Sequence, residues 1–107
     1  MTNPKKSRRQ LLEEFVTKKP DDSFSRYGLA MECMNTGDAK SADEHFRSLL
    51  QNDPAYVPAY LMYAQMLVRE SRQDEARQIL NSGISAASQK GDTHAQSELE
   101  SLLTEIS

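Results

Sequence analysis

Apolar residues recur along this chain in three- and four-residue steps, broken by short polar turns, from Leu11 to Ile106. That spacing predicts helices with one face turned to a core, and no segment shows the alternation a strand needs. The clearest run is GDAKSADEHFRSLLQNDP, from Gly37 to Pro54. Gly37 and Asp38 supply a turn and an N-cap, and Ala42, Phe46, Leu49 and Leu50 then form one stripe. Asn52-Asp53-Pro54 stops the helix, because proline lacks an amide donor and pushes its predecessor out of the helical region. Small Ala42 beside large Phe46 suits a close helix crossing, where alanine lets a backbone approach and phenylalanine fills the space beside it.

The same reading marks five more helices. The first, over 7–19, carries Leu11, Leu12, Phe15 and Val16. Asn3-Pro4 is placed to start it, and Lys18-Lys19 sit favourably at its negative end before Pro20. The second runs from Phe24 to Asn35, capped by Asp22 or Ser23, with Tyr27, Met31 and Met34 on one side and Leu29, Ala30 and Cys33 on another. A helix apolar over so wide an arc is either sandwiched or keeps a face for a ligand. The helix from Val57 to Glu70, with Pro58 in its first turn, is apolar nearly all round and should be the most buried element. Ser71-Arg72-Gln73-Asp74 has the form of a capping box. The fifth helix follows with Ala76, Ile79, Leu80, Gly83, Ile84 and Ala87. Lys90-Gly91-Asp92 then turns into a last helix bearing Ala95, Leu99, Leu102, Leu103 and Ile106. The expected fold is all-α: antiparallel helix-turn-helix pairs forming one domain over 1–107.

Composition narrows the function classes. At 107 residues, 37% apolar and 27% charged, the chain is long enough for one modest core. A net charge of −3 implies no electrostatic partner, and only the first nine residues are locally basic. Lys5, Lys6, Arg8 and Arg9 read as a solvated helix start, since a nucleic-acid arm would need more charge and interleaved aromatics. The lone Cys33 makes no internal disulfide, and neither a signal peptide nor a membrane span is visible, so a cytoplasmic location is expected.

Comparing the helices exposes a period. Pro20 and Pro54 stand 34 residues apart, as do Ala30 and Ala64, Ala42 and Ala76, and Phe46 and Leu80. A helix pair repeating at this interval, with small residues at fixed crossings, resembles the tetratricopeptide repeat (TPR) family. Leu29-Ala30, Cys33, Gly37, Ala42, Phe46 and Pro54 follow its pattern over 22–54. Tyr60, Tyr63-Ala64, Leu67, Ala76 and Leu80 follow it over 56–89. The first helix looks like half of an earlier repeat, and 92–106 like a terminal capping helix slipped out of register. Two positions depart from the pattern: Arg26 replaces a large aromatic, and Ser71 replaces the turn glycine.

The resemblance implies a right-handed superhelix with a concave face, and a protein or peptide as partner. That face should present Phe24, Tyr27, Met31 and Met34 from one helix, and Leu61, Gln65 and Val68 from the next, with Tyr56 at its rim. Methionines and aromatics suit an adaptable surface for an apolar peptide or helix. Self-association as a homodimer, or cover by the last helix, would use the same strip. The family's lysine and asparagine clamp for a chaperone-tail carboxylate is missing, because Tyr27, Met31 and Met62 hold those places.

Nothing points to catalysis, a metal or another cofactor. His45 and His94 fall on different helices, outside any metal-ligand spacing, and Asp43-Glu44-His45 reads as solvent-facing. Cys33 on an apolar face reads as a small core residue rather than a nucleophile.

Overall fold

The structure, a computed structural model, describes residues 5–107. Its elements are α1 (Arg8–Lys18), α2 (Ser23–Asn35), α3 (Ala39–Asn52), α4 (Val57–Arg69), α5 (Gln73–Lys90) and α6 (Thr93–Ile106). No strand occurs among the described residues. The chain divides between Leu49 and Leu50, near the end of α3, into two compact units.

Side chains near in sequence start most of these helices. Asp22, Asp38 and Asp92 each accept the amide of the residue three positions on, which satisfies a donor that the first turn leaves orphaned. Asn3-Pro4 lies outside the described residues. Ser7 performs the cap of α1 instead, in a reciprocal box with Gln10. The capping box expected at Ser71–Asp74 is not made. The residue before α5 is Arg72, without a side-chain cap, and Ser71 adopts a left-handed conformation that closes α4.

In the N-terminal unit the core holds Val16, Leu29, Ala30, Cys33, Ala42, Phe46 and Leu49, all buried. The expected crossing residues Ala42 and Phe46 are both fully enclosed. Burial pushes the Cys33 thiol up, consistent with an inert packing role. Above this core Arg9 donates to Asp38 at 2.8 Å and to Ser41 at 3.3 Å, tying α1 to the start of α3. That hydrogen bond, joined by those from Ser41, holds the Asp38 carboxyl down to about 2.

In the C-terminal unit the core gathers Val57, Tyr60 and Ala64 of α4, Leu80 and Ala87 of α5, and Leu99 of α6. Leu102, Leu103 and Ile106 pack on its margin, so α6 uses the face its own spacing implies. Helix α4 buries seven residues, more than any other helix. The Tyr60 hydroxyl donates to the Pro54 carbonyl at 2.6 Å and anchors the turn before α4. Gly83 lets α5 approach closely: a Cβ there would lie 2.6 Å from Tyr60 Cβ. Arg77 of α5 donates to the Ile106 carbonyl at 3.0 Å, closing the C-terminal end of α6.

Candidate functional site

The expected surface divides between the two units, and each half has its own geometry. In the N-terminal unit, Phe24, Tyr27 and Met31 of α2 line one open cleft, as their helical spacing predicts. Phe24 is 76% exposed, the largest value among the exposed large apolar residues. Tyr27 and Met31 are half-buried, and Met34 continues their stripe at similar burial. The sequence reading missed Arg8 and Glu32, an ion pair at 3.3 Å that borders the same cleft. It also missed Gly28, whose lack of a side chain leaves Leu12 space against α2. Glu32 was legible only as a polar helix position, and Arg8 only as part of a basic cluster. The helix crossing brings the two together.

In the C-terminal unit, Leu61 and Gln65 of α4 border a second cleft, opposite residues of α6. Leu61 is half-buried and Gln65 exposed, so α6 flanks this face and does not cover it. The α6 side contributes His94, Glu98, Leu102 and Glu105. None of these was expected at the site. Their appearance follows from the register of α6, which turns Leu99 inward and leaves His94 and Glu98 outward. Tyr56 and Val68 are half-buried elsewhere on this unit. Each cleft has a volume of about 290 Å³, at the lower limit of small-molecule pockets and large enough for the side chains of a docking segment.

The basic start of the chain is largely neutralised internally. Lys6 pairs with Glu14, Arg8 with Glu32, and Arg9 with both Glu13 and Asp38. Charges spent in this way add little to the field that attracts a polyanion. His45, expected on the surface, is half-buried, and its Nδ1 lies 3.2 Å from the Arg26 guanidinium. Arg26 also donates to the Pro20 carbonyl at 3.2 Å, while its Nε is buried without a partner. The aromatic-to-arginine departure thus places a cation against a histidine, and burial followed by the Arg26 charge pushes the imidazole below its ordinary value.

Among the described residues no group of three or more His, Cys, Asp or Glu side chains could hold a metal ion. No helix there is long and apolar enough to cross a membrane.

Comparison with known proteins gives these clefts their context. The tetratricopeptide repeat family matches residues 34–103. A TPR repeat-containing protein of Pseudomonas aeruginosa is 27% identical over 95 residues, covering 89% of this chain and 90% of that protein. The crystal structure of a tetratricopeptide repeat domain protein from Salinibacter ruber superposes with a TM-score of 0.74. It is 32% identical and covers 79% of this chain and 94% of that one. The solution structure of a Bordetella parapertussis protein gives a TM-score of 0.80 at 25% identity, covering 95% and 89%. With its repeat period, its helical array and these relatives in agreement, the chain belongs to the tetratricopeptide repeat family, whose members are generally protein–protein interaction modules and typically non-catalytic.

Proposed function

We propose that the protein captures an apolar peptide or helix of another protein on the exposed face of α2, without catalysis. The observation that carries this reading is Phe24, 76% exposed beside Tyr27 and Met31 in one cleft. Leaving a phenylalanine in water forgoes about 2 kcal/mol of burial, and a partner side chain seated there would recover part of it. Tyr27 and Met31 add an amphipathic ring and a flexible thioether, which accommodate a range of apolar side chains. Met34 extends the strip. In this reading Tyr56, Leu61, Gln65 and Val68 form the corresponding face of the C-terminal unit, and the whole chain works as one binding domain. The lone buried Cys33 fits a cytoplasmic setting, since the fold asks for no disulfide.

The test is selection of displayed random peptides against the immobilised protein. The expected peptides share apolar residues at i, i+3 or i+4, and Phe24→Glu or Met31→Glu weakens their binding at least tenfold with the helical circular dichroism unchanged. Peptides whose binding ignores both substitutions would overturn the reading.

A further inference from the structure

Two further features, one on α1 and one on the C-terminal unit, complement each other in charge and in the placing of their apolar residues. On α1, Arg8, Leu11, Phe15 and Lys18 follow one another at i, i+3, i+7 and i+10, which places them on a single stripe. All four are exposed, Leu11 at 46% and Phe15 at 58%, so α1 presents an apolar centre with a cation at either end, Arg8 keeping a largely solvated side chain beside its internal partner Glu32. The cleft of the C-terminal unit has the opposite arrangement. On α6, Glu98, Leu102 and Glu105 fall at i, i+4 and i+7, putting an apolar centre between two carboxylates, with Leu61 of α4 beside it. Helix α6 contains three glutamates and neither lysine nor arginine. Glu98 meets His94 at 3.2 Å, an exposed pair that leaves its carboxylate open to a second cation.

We infer that the α4–α6 cleft receives α1 of a second copy of this chain. The inference rests on reading Leu61 and Gln65 as part of a docking face, and it assigns that face an occupant. Leu11 and Phe15 would seat against Leu61 and Leu102, while Arg8 and Lys18 reach Glu98 and Glu105. The carboxylates are about 10 Å apart along their helix and the cations about 15 Å along theirs, a mismatch that long flexible side chains absorb. Because the two surfaces differ, the contact is heterologous, one copy's α1 meeting another copy's cleft. The charge pairs lie at a solvated rim, so salt would screen them and loosen the assembly.

Paired charge reversals test this by sedimentation or light scattering across concentration. Arg8→Glu with Lys18→Glu removes the α1 surface, and Glu98→Lys with Glu105→Lys removes the cleft. The wild type should gain mass with concentration and lose that gain in high salt, while each double variant stays monomeric. Mixing the two variants should restore assembly, since each intact α1 then meets an intact cleft and each reversed α1 a reversed cleft. If a double variant fails to fold, Phe15→Ser, at an exposed position, should abolish assembly by itself. A wild type monomeric at its highest soluble concentration overturns the inference, as does assembly that survives in either double variant by itself. Either failure leaves the peptide selection at Phe24 and Met31 unaffected, so the two readings fall separately.

Discussion

Ser71 occupies the left-handed turn position that Gly37 holds one repeat earlier. Their φ angles are 62° and 85°, and they follow α4 and α2 respectively, each the first helix of its pair. The hydrogen bonds around them match. The Asp38 amide donates to the Cys33 carbonyl at 2.9 Å, and the Arg72 amide donates to the Leu67 carbonyl at 2.8 Å. The same helix ending is therefore built twice, once with glycine and once with a residue whose Cβ crowds the neighbouring carbonyl.

Replacing Ser71→Gly should accordingly stabilise the protein by about 0.5–1 kcal/mol, the relief of left-handed strain less the entropy glycine loses on folding. Asparagine at this position should fall between the two. Urea unfolding with an unchanged slope and a raised midpoint is the expected readout, and a lowered midpoint would contradict the account.

Gly83→Ala should act in the opposite direction. Alanine gains about 1 kcal/mol of helix propensity, yet its methyl would lie 2.6 Å from Tyr60 Cβ and 2.8 Å from Cγ. Backbone-proximal atoms yield little, and overpacking of this kind costs about 1–3 kcal/mol, so clash outweighs propensity. A net fall in thermal midpoint is expected. A rise would show that α4 and α5 separate without penalty.

The Arg26–His45 contact makes stability sensitive to mild acid. In the folded chain the imidazole titrates below its ordinary 6.5, because burial and then the adjacent guanidinium disfavour its charged form. The unfolded chain therefore binds the proton first. The contribution is complete above 6.5 and is lost as pH falls towards the lower folded value. His45→Gln should flatten this part of the stability profile, and an NMR titration should place the His45 midpoint below 6.5. A midpoint above 6.5 would remove the argument. Asp38 acts in a separate and more acidic window. Held at about 2 by Arg9, its contribution is complete above the ordinary 3.8 and disappears as pH falls towards 2.

The helices, their caps at Asp22, Asp38 and Asp92, and the 34-residue period were all legible in the chain, because each rests on residues within a turn or two of one another. Ala42 and Phe46 could be assigned to a crossing for the same reason: their size and spacing describe a helix face before any partner is known. The grouping of Phe24, Tyr27 and Met31 followed equally from one helix's geometry. Three features depended on the tertiary structure. The Arg8–Glu32 border of the α2 cleft and the contact between Arg26 and His45 join residues on different helices, and their pairing depends on crossing angle and side-chain reach. The placing of Glu98 and Glu105 beside Leu61 depended on how α6 settles against the core, which its break from the repeat period hid. Helical periodicity is a local property written into consecutive residues, whereas a meeting between helices is decided by packing, and packing exists only once the chain has folded.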